Sequence, residues 1–156
     1  MNALHLSVSI VVYELDKPVL DRCLQSLQYS LAYGVLEKNL SSWSLDIVDN
    51  GKNDESLDAY ESKNIRIIKN QHNVGYGAAH NQTILQSTSE FHLILNPDVT
   101  MDLDYVSNSM AFLTNNADVA LTGPRGVTSD GTEAYLCKRY PSLLVLFIRG
   151  LQQKWI

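Results

Sequence analysis

Several features are scarce in this 156-residue chain. Only two cysteines occur, Cys23 and Cys137, far apart in sequence. That argues against a disulfide framework and a cysteine-based zinc knuckle, and it makes a reducing cytoplasm the default compartment. No apolar run reaches the ~18 residues of a membrane span. The N-terminus lacks the charged segment and long apolar core of a signal peptide. Positive charge is also short: 12 Lys and Arg stand against 17 Asp and Glu, a net charge of −5. Composition therefore offers no basic face for nucleic acid. The four histidines, His5, His72, His80 and His92, lack the spacing of a zinc site. No Ser/His/Asp or Cys/His set has supporting context, and neither an internal repeat nor a low-complexity tract is present. What remains is an ordinary globular composition, 45% hydrophobic and 19% charged, enough for one domain with a real core.

The chain alternates strand and helix signals. Leu6 to Tyr13 is nearly continuous and β-branched, as a buried central strand should be. Pro18 with Asp16 before it opens a helix to about Ala32, carrying Val19, Leu20, Cys23, Leu24, Leu27 and Leu31 at helical spacing. The next ten residues, with Gly34 and Asn39, read mainly as loop. Ser44 to Val48 is a second strand, and Asp54 or Ser56 caps a short helix to about Ser62. Ile65 to Lys69 is a third strand, and a helix follows from about Tyr76 to Ser87. Phe91 to Leu95 is a fourth strand, and Asp102 to Asn115 a helix. Val119 to Thr122 is a further short strand. Asp130-Gly131 signals a hairpin joining Gly126–Thr128 to Thr132–Cys137. Beyond Pro141, Ser142 to about Trp155 is apolar nearly all round. It is expected to form a helix that covers the sheet, meets another subunit or lies on a membrane surface. The alternation predicts a three-layer α/β fold with a mostly parallel central sheet. Its domains are expected at 1–125 and 126–156, the second holding the hairpin and the apolar helix.

The chemistry concentrates at strand ends. Tyr13-Glu14, Asp49-Asn50 and Asn96-Pro97-Asp98 each follow a predicted strand. In a parallel sheet those ends share one edge, where α/β proteins bind ligands. Asp98 is placed to hold a hard cation through oxygen, or else it is a solvated turn residue. Asp49 is placed to accept from a pyrimidine N3–H or a ribose hydroxyl, or else it bonds its own turn. Gly75-x-Gly77 begins like a dinucleotide fingerprint, but His80 stands at the third glycine position and the motif follows the third strand, so it fits that cofactor poorly. A helix start facing a phosphate or a ribose remains open. His72 and His80 flank the glycine loop as ligand contacts or structural residues. Arg125, Lys138 and Arg139 face a diphosphate or are solvated.

Taken in order, Ser7 to Tyr13, Cys23 to Leu27, Ile47-Val48-Asp49-Asn50 with Asp54, Asn73-Val74-Gly75-Tyr76-Gly77 with Asn81, Leu93 to Asp98, Gly131 and Arg139-Tyr140-Pro141 resemble the family 2 glycosyltransferases of GT-A fold, in their bacterial rhamnosyltransferase-like branch. The resemblance implies a GT-A-like, Rossmann-like domain that binds a nucleotide-diphosphate sugar. Val12, Tyr13 and Glu14 match the nucleobase wrap, and Asp49 the acid that reads the base. Asn50, Gly75, Asn81 and Asn96 complete the donor-binding set. Asp98 is the implied ligand of Mg²⁺ or Mn²⁺, which assists diphosphate departure as a Lewis acid. The acceptor is expected to be a cell-surface glycan or lipid-linked molecule, and the work to take place in the cytoplasm or at the inner face of the membrane. The acidic motif that supplies the acceptor-side base in this family has no equivalent here. The chain is therefore expected to be the donor-binding half of a longer inverting enzyme, and no catalytic residue is assigned. The alternative is a non-catalytic nucleotide-binding or interaction module.

Overall fold

The computed structural model describes residues 4–51, 54–128 and 130–134. The apolar segment from Ser142, with Cys137, Lys138 and Arg139, lies outside the described residues. The chain divides into two compact units, Met1–Ala117 and Asp118–Ile156.

In the first unit, β1 (His5–Val12) leads to α1 (Lys17–Leu36), β2 (Ser42–Asp49), a 3₁₀ helix (Glu55–Tyr60), β3 (Ile65–Lys69), α2 (Tyr76–Ile84), β4 (Phe91–Leu95) and α3 (Tyr105–Asn115). The four strands lie in the order β3-β2-β1-β4 and all pair in parallel. The expected α/β architecture is therefore present, with a wholly parallel sheet among the described residues.

Side-chain alternation sorts the sheet into two faces. Leu6, Val8, Ile10 and Val12 of β1 join Leu45 and Ile47 of β2 and Leu95 of β4 on one side. There they meet Leu20, Cys23, Leu24, Leu27 and Leu31 of α1 and Val106 and Met110 of α3. The other face is smaller and more polar: Val11 and Val48 meet Ala79 of α2, flanked by Ser7 and Ser9 of β1, both buried. Helices on both faces make the three layers.

Local chemistry explains most boundaries. Asp16 caps α1, its Oδ1 accepting from the Val19 amide at 3.2 Å, with Pro18 in the first turn. The helix runs past the expected Ala32 because Gly34 is buried against α3. A Cβ there would sit 3.4 Å from Val106 Cγ1, so this glycine permits close helix packing instead of ending the helix. Lys38, at φ 62°, turns the chain out, and Asn39 and Leu40 amides donate to the Gly34 carbonyl. The helix α2 stops at Ile84, three residues short of the expected end, with Gln86 and Ser87 amides folded back onto Thr83.

In the second unit the expected strand Val119–Thr122 is not formed. Leu121 is 88% exposed, and no described strand pairs with the segment; a short apolar run without a ladder partner does not make a strand. The Asp-Gly turn does form a narrow hairpin. Val127 bridges Glu133, and Asp130 accepts from the Thr132 amide at 3.1 Å. The Thr128 hydroxyl and this amide hold the Asp130 carboxyl down at a pKa of about 2.

Candidate functional site

Because every strand runs the same way, the carboxyl ends of β1, β2 and β4 lie along one rim. Val12 pairs with Asp49 and Ile10 with Leu95, so β1 sits between the two acidic strand ends. Two strand spacings separate those ends, roughly 10 Å.

Asp49 is the last residue of β2 and is buried. Its carboxylate accepts from the Asp54 amide at 2.6 Å and the Gly51 amide at 3.3 Å. These bonds fold the turn back over the strand end. Asn50, also buried, ties β2 to the glycine loop. Its Nδ2 donates to Asn73 Oδ1 at 2.9 Å, and its Oδ1 accepts from the Val74 amide and from Asn70 Nδ2. Asn73 Oδ1 in turn accepts from the Gly75 amide at 2.8 Å. Gly51 makes this junction possible: its φ is 112°, and a Cβ would stand 2.5 Å from the Asn73 nitrogen.

The glycine loop delivers the start of α2 to the same rim. Gly75, at φ 90°, occupies the N-cap position and supplies no capping side chain. The first amides of α2 therefore have no side-chain cap among the described residues. Tyr76, the first residue of α2, is half-exposed, and its hydroxyl donates to Asn96 Oδ1 at 2.6 Å. Burial, and then the charge of Asp98, push the Tyr76 phenol upward. The hydrogen bond to Asn96 puts Tyr76 beside the Asn-Pro-Asp turn, a role its sequence position alone did not suggest.

The turn after β4 is held from α1 as well. The Cys23 thiol donates to the Asn96 carbonyl at 3.5 Å, and the Met101 amide donates to Ser26 Oγ at 3.3 Å. Burial, then Asp98, raise the Cys23 thiol to about 11. Asp98 itself is exposed.

The remaining candidates divide. Tyr13 and Glu14 are exposed just beyond β1, at the rim. Val12 sends its side chain into the core, and its carbonyl accepts from the Asn50 amide at 2.7 Å. Asn81 stands on the exposed side of α2. His72 is exposed, whereas His80 is buried beneath α2. Arg125, in the second unit, pairs with Glu133 at 3.6 Å. A cavity of about 370 Å³ lies at the opposite, amino-terminal edge of the sheet, between Ser7, Ser44, Arg66, Thr83 and Ser87. It is not part of the rim.

Among the described residues, no group of three His, Cys, Asp or Glu side chains is gathered to hold a metal. Asp98 fits a different mode. Mg²⁺ commonly keeps several waters and uses one or two carboxylates plus substrate phosphates, and a lone exposed carboxylate at a strand end suits that donor set. No helix of the described residues is long and apolar enough to cross a membrane.

The profile of Glycosyl transferase family 2 matches residues 7–155. The chain belongs to glycosyl transferase family 2. No curated protein matches it significantly. Among solved structures, the family 2 chain is similar to S. aureus TarS 1-349, with a TM-score of 0.58 at 20% identity. The likeness covers 73% of this chain and 33% of TarS 1-349, so the chain spans about a third of that structure. At that identity the likeness establishes a shared GT-A-like fold.

Proposed function

We propose that this family 2 domain binds a nucleotide-diphosphate sugar along the rim, and that the full-length enzyme passes the sugar, with inversion, to a glycan or lipid-linked acceptor. Rhamnose is the sugar the motif set favours, and a cell-surface polysaccharide the destination. The observation that carries this reading is the meeting of three separate strand ends, with Asp49 at one and Asp98 at another, beside a helix start whose amides lack a side-chain cap.

In this reading Tyr13 and Glu14 border the base, and Asp49, buried beneath its own turn, holds that turn beside it. Gly75 and the first amides of α2 face the diphosphate, where a helix N-terminus favours negative charge. Asp98 holds Mg²⁺ or Mn²⁺. When bound, the cation supplies charge neutralisation to the departing diphosphate. Asn50 acts indirectly, by locking the glycine loop to β2.

The test is isothermal titration of the chain with UDP, dTDP and GDP, each with Mn²⁺. One of them is expected to bind, and Asp98→Ala to weaken that binding at least about ten-fold, the equivalent of about 1.4 kcal/mol. Equal affinity in the variant overturns the role of Asp98. Binding of none of the three by the parent chain overturns the donor site.

A further inference from the structure

The polar side chains beneath α2 form one file. The Ser87 hydroxyl donates to Ser7 Oγ at 2.9 Å. Ser7 Oγ is 2.7 Å from His92 Nδ1, His92 Nε2 is 2.7 Å from Ser9 Oγ, and Ser9 Oγ is 2.7 Å from His80 Nδ1. The file crosses from the amino-terminal half of the sheet to the second turn of α2. Each hydroxyl has one proton to give. If Ser7 donates to His92, then His92 donates to Ser9 and Ser9 donates to His80. If Ser7 donates to the Phe91 carbonyl at 3.4 Å instead, the directions reverse. Both arrangements keep the two imidazoles neutral. Both also leave His80 Nε2 with no hydrogen-bond partner among the described residues, although His80 is 98% buried.

A buried imidazole is thus anchored at one nitrogen only, by Ser9 at the centre of the sheet. What it meets on its other side is Tyr76. The two rings lie edge to face, 4.4 Å between centroids and 74° between planes, one helical turn apart on α2. Tyr76 is 50% exposed, so solvent does nothing to fix its ring. Its hydroxyl nevertheless makes one of the shortest bonds of the rim, to Asn96 Oδ1.

We propose that His80, anchored by Ser9, is a positioning residue that fixes the Tyr76 ring so that its hydroxyl orients Asn96 at the mouth of the Asn-Pro-Asp turn. The sheet interior thereby sets a side chain at the rim without touching any ligand. The consequence for nucleotide affinity rests on the donor-site reading above; the positioning itself does not.

The test separates the two. In ¹H–¹⁵N spectra of the chain, the side-chain amide of Asn96 reports its bond to Tyr76. Tyr76→Phe removes the hydroxyl and gives the reference shift. Ser9→Ala cuts the anchor and keeps both rings. His80→Gln keeps an amide for Ser9 and removes the ring that meets Tyr76, so it preserves the polarity of the buried file if Ser9→Ala fails to fold. Both are expected to move the Asn96 signal toward the Tyr76→Phe position. An Asn96 signal moved by Tyr76→Phe but by neither of the others overturns the proposal, whether or not a nucleotide binds. In titrations with UDP, dTDP or GDP and Mn²⁺, each single variant is expected to bind about three- to ten-fold more weakly, the scale of one hydrogen bond. Ser9→Ala combined with Tyr76→Phe is expected to bind no worse than Tyr76→Phe alone. Additive losses overturn the proposal, because independent effects add. A parent chain that binds none of the nucleotides overturns the donor site alone.

Discussion

Replacing Gly51 with alanine tests how the two halves of the rim are joined. Two glycines of the rim have left-handed backbones, Gly51 at φ 112° and Gly75 at φ 90°, and they differ in one respect. A Cβ on Gly75 meets nothing within 4 Å, whereas one on Gly51 stands 2.5 Å from the Asn73 nitrogen and 2.6 Å from the His72 carbonyl carbon. Both obstacles are backbone and do not swing aside. An alanine at either position carries strain of about 1–3 kcal/mol. Only Gly51→Ala adds the cost of forcing the backbone apart, comparable to overpacking at about 1–3 kcal/mol. The expected losses are therefore about 1–3 kcal/mol for Gly75→Ala and about 2–6 kcal/mol for Gly51→Ala. Urea denaturation followed by far-ultraviolet circular dichroism measures both. Each kcal/mol corresponds to about 2–4 °C in Tm for a chain of this size. Displacing Asn73 also strains its bonds to Asn50 and Gly75, so Gly51→Ala should weaken nucleotide binding as well. Equal destabilisation by the two substitutions would refute the argument that Gly51 is needed for close approach.

Three more outcomes follow from the geometry. Cys23 is buried and its thiol is raised to about 11, so iodoacetamide at pH 8 should leave it unmodified in the native chain and label it only after denaturation, as peptide mass spectrometry will show. His80 and His92 are both lowered by burial, His80 further by His92 and His92 partly restored by Asp46. The unfolded chain therefore binds more protons than the folded one below the ordinary histidine value of 6.5. Their contribution to stability is full above that pH and is lost as the pH falls toward the folded values. Melting curves from pH 7.5 to 5.5 should show the fall, and His92→Gln should reduce it. Asp16→Ala removes the cap of α1 and should cost about 1 kcal/mol by urea denaturation, with nucleotide affinity unchanged.

The parallel sheet was legible because burial on both faces imposes apolar strands, and Ile65–Lys69 and Phe91–Leu95 are observed with the expected bounds. Gly34 misled because its sequence signal is that of a loop, while its use is close contact with Val106. Val119–Thr122 misled because strand identity depends on a neighbour, which composition does not supply. At the rim, the strand-end acids are conspicuous in sequence because polar residues abruptly follow apolar runs. Tyr76 and His80 are less so. Their signals were the four-residue spacing of two aromatic rings and the serines at alternate positions in an otherwise apolar first strand. Only the crossing of α2 over β1 brings those two signals together.

The strand order has a consequence for how the chain is made. β1 lies inside the sheet, yet the partners on its β4 side are 85 residues away, as Ser7 and His92 are. At roughly 5–20 residues per second, a ribosome needs on the order of 4–17 seconds to supply them. Through that interval β1 has an open edge of valines and isoleucine, and a chaperone that shields it during translation would guard the step at which nascent chains are most prone to stick together.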